Sequence, residues 1–254
     1  MNGWRAIDEE LARWREAGRE PVLWWRDDDA ADATPALDRL LDLHRMVKVP
    51  LALAIVPANA TAALAERLAQ TPGVDLLQHG YAHTNHAPAT DKKMELGLHR
   101  PTMFVLGELG TGRMALERLF GNRALPVLVP PWNRIAPALV PTLPEVGYRG
   151  LSTFGIRRRA QPVSGLLQVN THVDLIDWQS RRFVGEDAAL AAFEQALVAS
   201  RTGTDEPVGI LSHHLAMDEE AWDFLNSLWV RISSMPGLKI MPAHDLFASR
   251  EPRV

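Results

Sequence analysis

Apolar positions along the chain follow two periods. Trp4, Ile7, Leu11 and Trp14 recur at three- and four-residue spacing with Asp, Glu and Arg between them, which predicts an amphipathic helix ending at Gly18. Residues 21–25, Pro-Val-Leu-Trp-Trp, read as a buried strand that runs into Arg26 and the carboxylate run Asp27-Asp28-Asp29. A helix is predicted from Thr34-Pro35, because proline suits the first helical turn. Residues 49–56 form a nearly unbroken apolar run, the mark of a parallel strand covered on both faces. The alternation continues with a helix over 60–70 and a strand over 74–78. Over 84–110 the pattern weakens into an excursion containing Pro88 and Pro101. Further helices are expected over 114–120, 136–146, 188–201 and 219–233, the last with Trp222, Leu225, Trp229 and Ile232 on one stripe. Further strands are expected over 126–129, 148–154, 167–173, 208–212 and 238–241. About eight strand-like runs separated by helices predict an α/β fold, a distorted (β/α) barrel of seven to eight strands, with residues 1–254 as one domain.

Polar clusters punctuate this pattern at strand ends. The three aspartates, the pair in His79-Gly80-Tyr81-Ala82-His83, the segment Pro130-Pro131-Trp132-Asn133 and His213-His214 each follow a predicted strand. In an α/β barrel those ends meet on one face, where active sites are assembled.

Composition narrows the chemistry. With 46% hydrophobic and 23% charged residues, the 254-residue chain has the make-up of a globular protein with a substantial core. A net charge of -4 provides no basic footprint for nucleic acid. Cysteine is absent, which excludes disulfides, thiolate metal sites and a cysteine nucleophile. No run reaches the roughly 18 apolar residues of a membrane span, and the amino-terminal residues lack the apolar core of a signal peptide, so a cytoplasmic location is expected.

Three adjacent carboxylates repel one another and call for water, a cation or a metal; solvation and helix capping by Asp29 or Asp32 is the structural alternative. Histidines four apart can bind one ion through neutral imidazoles, and with a carboxylate oxygen they suit zinc or a similar divalent metal. His86 offers a competing pair with His83, ranked second because His79 sits nearer the strand end. Gly80 stands where a zincin would carry its catalytic glutamate, so a base must come from elsewhere. His213 and His214 would point to opposite faces of a strand, which puts one of them in the site. His44, His99 and His244 read as structural, as do Trp4, Trp14, Trp222 and Trp229; Trp25, Trp132 and Trp178 are the pocket candidates.

Taken together, Asp28-Asp29-Ala30 after a strand, His79-x-x-x-His83, Val129-Pro130-Pro131-Trp132-Asn133 and Leu211-Ser212-His213 resemble, in order, the motifs of the polysaccharide deacetylase family (NodB-homology, carbohydrate esterase family 4). The likeness runs from about Val22 to His214. Each motif alone is weak; four in order are specific. The resemblance implies a divergent member that removes an N-acetyl or O-acetyl group from a carbohydrate-like substrate. It assigns Asp28 as general base and His213 as general acid. One divalent ion, zinc first with cobalt, manganese or nickel as alternatives, would be held by Asp29, His79 and His83. Pro131, Trp132, Asp177 and Trp178 would contact substrate. Such an ion polarises the acetyl carbonyl and acidifies water that the base deprotonates.

Three features depart from the family pattern. Val129 replaces the arginine that positions the base, with Arg26, Arg134 or Arg149 as substitutes. The aspartate supporting the acid histidine is Asp174 or Asp177, and His172 is a further candidate for the site. A one-residue slip would make Asp27 and Asp28 the base and ligand pair. The competing functions are metal-dependent hydrolysis of another small amide and a non-catalytic carbohydrate-binding relative. The barrel amidohydrolases carry His-x-His after the first strand, which this chain lacks.

Overall fold

The computed structural model describes residues 2–248. Helix α1 (Asn2–Glu16) precedes strand β1 (Val22–Ala30), and α2 (Pro35–Val47) is capped by the Thr34 hydroxyl, which accepts from the Leu37 amide. Then come β2 (Leu51–Ile55), α3 (Ala62–Ala69), β3 (Val74–His79), α4 (Thr102–Phe120) and β4 (Ala124–Val129). Six two- to five-residue strands follow, β5 (Gly150–Leu151), β6 (Leu167–Gln168), β7 (Val173–Asp174), β8 (Ile176–Asp177), β9 (Arg182–Phe183) and, after α5 (Glu186–Ala199), β10 (Val208–Ser212). Helix α6 (Glu219–Ser234), β11 (Lys239–Ile240) and the short α7 (Ala243–Leu246) complete the described chain.

The main sheet is parallel throughout, in the order β6-β5-β4-β3-β2-β1-β10-β7. Strand β11 lies along the start of β1, on the flank that β2 occupies further on. The two edge strands, β6 and β7, are the ends of one extended segment, 167–174. Its first half bonds toward β5, through Val169 N to Leu151 O at 3.1 Å. Its second half bonds toward β10, through His172 N to Gly209 O at 2.7 Å. That change of partner bends the sheet into a distorted α/β barrel.

Alternation along the strands sorts side chains into two layers. Leu23, Trp25, Leu51, Leu53, Ile55, Leu76, Val208 and Ile210 face outward into the larger core, under α1, α2, α5 and α6. Trp24, Ala52, Ala54, Leu77, Val127 and Val129 face inward, where they meet Ala243, Leu246 and Phe247 from α7. Gly209 is required there: a Cβ would meet Trp24 Nε1 at 2.5 Å and Asn170 O at 2.8 Å.

Four sequence expectations change. Strand β1 extends through the aspartates rather than ending before them. The excursion over 84–110 ends in a 19-residue α4 that begins at Thr102, not 114. The helix expected over 136–146 is a 3-10 turn, Pro137–Thr142, because Pro141 has no amide to continue the ladder. The strand expected over 148–154 shrinks to Gly150–Leu151 plus an isolated bridge from Phe154 to Thr171.

Candidate metal centre and active site

The site begins with a bulge. Between Asp27, opposite Leu53, and Ala30, opposite Ile55, β1 carries one residue more than β2. Asp29 takes up the extra residue with φ 76°. In a regular strand Asp28 and Asp29 would face opposite sides of the sheet; here both line one cleft of about 500 Å³ at the C-terminal ends of the strands. His79, the last residue of β3, points inward by the same alternation that buries Leu77. The chain then reverses at Gly80, with φ 56°, where a Cβ would meet Glu95 Oε2 at 2.0 Å and Pro131 Cδ at 2.5 Å. This reversal returns His83 beside His79.

Asp29, His79 and His83 form a set with one donor atom each, all within 4.8 Å of one another. Asp29 Oδ1 lies 3.0 Å from His79 Nε2 and 3.2 Å from His83 Nε2. His79 Nδ1 donates to the Val129 carbonyl at 3.1 Å, which leaves Nε2 as the ring nitrogen turned toward Asp29. Asp29 Oδ1 is thus a buried acceptor with no hydrogen-bond donor, facing two ring nitrogens. Burial works against charge on His79, yet Asp28 and Asp29 raise its pKa, the sign of excess negative charge. Burial and the charge of His79 lower the pKa of His83, favouring the neutral ring that ligation needs. Burial alone would raise Asp29, but His79, His213 and His83 hold it below the ordinary carboxylate range. One carboxylate oxygen and two imidazole nitrogens fit a divalent ion of the zinc type. His86 lies outside this set.

Asp28 sits beside the cluster and is held from within the barrel. Arg26, two residues earlier on the same face of β1, is fully buried. Its Nη2 donates to Asp28 Oδ2 at 3.0 Å, and its Nε lies 2.9 Å from Oδ1. Arg26 also donates to Ser152 Oγ and Asn133 Oδ1, both at 2.6 Å. Of the three arginines considered for this place, Arg26 occupies it. Arg134 donates to Lys93 O, and Arg149 to the Pro144 and Tyr148 carbonyls.

Across the cleft, His213 follows β10, with Nδ1 3.7 Å from Asp174 Oδ1. Trp178 stands edge-on to the His213 ring at 4.6 Å and donates Nε1 to Asp174 Oδ2 at 2.8 Å. Burial raises the Asp174 pKa against the lowering effects of His213 and Trp178. Asp174 is therefore the aspartate next to His213. Asp177 instead caps its own turn, accepting from Gln179 N and Ser180 Oγ, and does not line the cleft. Pro131 packs under Gly80 rather than lining the cleft; Trp132 lines it, 4.4 Å from the His83 ring. Trp25 is buried against Trp229 in the outer core. His172 accepts from Gly209 N at 3.1 Å and lies 3.3 Å from Glu206, at the start of β10 and away from the site.

The register slip is not what the structure adopts. Asp27 faces outward and accepts from Ser212 Oγ at 2.6 Å and His214 N at 3.0 Å, with His214 Nδ1 2.5 Å from its other oxygen. That buried pair pins β1 to the end of β10, between the aspartates and His213. Glu95 was invisible in the patternless excursion. Its buried carboxylate accepts from the amides of Tyr81 (3.1 Å), Ala82 (2.8 Å) and Thr84 (3.4 Å), which shapes the His79–His83 turn.

Backbone strain collects here as well. Among the described residues, seven other than glycine have positive φ, and five of them, Asp29, His83, Trp132, Asn133 and Arg181, line the cleft. Each such residue costs on the order of 1–3 kcal/mol and persists only where its surroundings hold it.

The fold of this parallel barrel is similar to that of solved polysaccharide deacetylases and family 4 carbohydrate esterases. Three solved structures illustrate it. A protein assigned as a polysaccharide deacetylase from Mycobacterium smegmatis superposes with a TM-score of 0.65 at 15% identity, over 90% of this chain and 89% of the other. A peptidoglycan deacetylase from Bacillus subtilis gives 0.56 at 13% identity, over 89% of each. A family 4 acetyl xylan esterase from Clostridium thermocellum, solved with a cobalt ion, gives 0.51 at 16%, over 89% and 90%. No family model and no curated relative matches the chain in sequence. No helix among the described residues is long and apolar enough to cross a membrane.

Proposed function

We propose that the protein is a metal-dependent deacetylase that hydrolyses an acetyl group, N-acetyl first and O-acetyl as the alternative, on a carbohydrate-like substrate. The observation that carries this reading is the order of groups across one cleft: Arg26-held Asp28, the Asp29–His79–His83 set, then His213 backed by Asp174. Asp29, His79 and His83 would hold the ion, zinc by donor type, and that ion would polarise the acetyl carbonyl and acidify water. Asp28 takes the proton from the attacking water, with Arg26 fixing its orientation. His213 gives a proton to the leaving nitrogen as the C–N bond breaks, so acetate and a free amine result. Trp132 and Trp178 provide apolar faces for a sugar ring on either side.

The test is acetate release from chitooligosaccharides, peptidoglycan fragments and acetylated small sugars by metal-loaded protein. Turnover that disappears in Asp28→Asn supports the reading. Metal-loaded protein that releases acetate from none of them overturns it.

A further inference from the structure

The cleft walls carry a charge pattern that the hydrolytic groups do not use. Lys93, Arg134 and Arg181 line the cleft, although the chain as a whole has a net charge of -4. Lys93 and Arg134 share the wall formed by His83 and Trp132. Arg134 Nη1 donates to Lys93 O at 2.9 Å, and Lys93 Nζ lies 6.0 Å from the centre of the Trp132 ring. Arg181 also lines the cleft, from the β8–β9 turn with Trp178, where its backbone takes φ 55° and its amide donates to Asp177 O. Among the described residues, none of these three cations has a carboxylate within ion-pairing distance. The carboxylates in the cleft face other groups: Asp28 is paired with Arg26, Asp29 lies 3.0 and 3.2 Å from the two histidine nitrogens, and Asp174 accepts from Trp178.

Neutral polar groups tell the same story from the other side. Amides and hydroxyls both donate and accept, which matches the hydroxyls of a neutral sugar. Asn133 is the one uncharged amide or hydroxyl side chain on the lining, and its oxygen already accepts from Arg26. Lys93, Arg134 and Arg181 add cationic donors to a lining that also holds aromatic faces, a combination that selects anions through charge-assisted hydrogen bonds.

We infer that the cleft selects an anionic acetylated saccharide, whose phosphate or carboxylate is received by Lys93, Arg134 and Arg181 while the sugar ring rests on Trp132 and Trp178. This inference rests on the deacetylase reading for the acetyl group, but the anion preference can be measured without turnover.

The experiment compares N-acetylglucosamine, its 6-phosphate and N-acetylmuramic acid, which share the acetamido group and differ in charge. Expected is a kcat/KM about tenfold or more higher for at least one anionic member, shrinking at roughly 0.5 M salt. Preference for the phosphate alone, or for the carboxylate alone, identifies the source of the anion. Arg134→Gln, Arg181→Gln and Lys93→Gln should narrow the anionic-to-neutral ratio, each lowering the anionic substrate's kcat/KM more than the neutral one's. Equal kcat/KM across the set, or a ratio unmoved by all three substitutions, overturns the inference. If metal-loaded protein releases no acetate at all, the deacetylase reading fails, and tryptophan fluorescence then decides the anion site. Saturable quenching by glucose 6-phosphate but not by glucose, lost in Arg134→Gln with Arg181→Gln, supports it; equal or absent quenching by the two sugars overturns it.

Discussion

Three consecutive aspartates have three different fates, decided by one inserted residue in β1. Asp27 turns out to Ser212 and His214, Asp28 turns in to Arg26, and Asp29 at the bulge turns in to the histidines. The roles proposed for them separate experimentally. His79→Ala and His83→Ala are expected to lose bound metal with the circular dichroism of the fold intact; metal at wild-type stoichiometry would remove them as ligands. Asp28→Asn is expected to keep its metal while kcat falls roughly a hundred- to ten-thousand-fold, the range for a lost general base. Loss of the ion in Asp28→Asn would move the ligand role to Asp28. Gly80→Ala is expected to destabilise the fold by about 1–3 kcal/mol and to lower metal affinity, since its Cβ collides with Glu95 and Pro131 and its φ is positive. Urea unfolding and metal titration check both effects, and a variant with wild-type affinity would show that this turn tolerates a side chain.

At the scale of elements, glycine misled the sequence reading in α4. Gly107, Gly110 and Gly112 weaken the helical pattern, and Pro101 at the cap position has no side-chain oxygen to cap the helix and announce its start. Packing supplies the reason for one of them: a Cβ on Gly112 would meet Gln78 Nε2 at 2.5 Å, so the helix can lie close to β3 only with glycine there. Gln78 in turn donates to Leu109 O and Gly80 O, tying the helix to the residue that turns the His79–His83 loop. Elsewhere, α1 is joined to the turn after α5 by Glu10, fully buried, which accepts from Arg201 Nε at 2.5 Å and from Arg13 at 3.1 Å. Burial opposes a charged Glu10, but the two arginines outweigh it and lower its pKa. A lowered folded pKa means that this contribution is complete above the ordinary glutamate range and disappears as pH falls through and below it. Glu10→Gln should therefore cost roughly 1–2 kcal/mol near neutrality and flatten the acid limb of the stability curve. An unchanged slope in urea melts across that range would mean that the pair contributes nothing to folding.

Across the whole molecule, Asp29, His79 and His83 join the first strand of the barrel to the third, and His213 follows the strand at β1's other flank. An ion bound there by the folded chain alone raises stability by about 2.7 kcal/mol at a hundredfold excess over its Kd. For a chain of this size that corresponds to a rise in Tm of roughly 5–10 °C. Zinc should produce that rise in the wild-type protein, a chelator should remove it, and Asp29→Ala should show neither change. A zinc-induced rise that survives in Asp29→Ala would place the ion elsewhere.

What the sequence by itself determined is local: the order of most strands and helices, the delivery of His79 by the third strand, and the gathering of polar clusters at strand ends. Those follow from hydrophobic period and from the rule that parallel strands present their C-terminal ends on one face. The tertiary structure alone decided which carboxylate faces which partner. A bulge depends on the neighbouring strand's register, Arg26 meets Asp28, Ser152 and Asn133 only because all of them reach one barrel interior, and Asp174 rather than Asp177 meets His213 only after the 167–174 segment changes partners. Glu95 and the cations at Lys93, Arg134 and Arg181 lie in segments without period, so no alternation marked them. Their function is a matter of distance in space, which spacing along the chain does not encode.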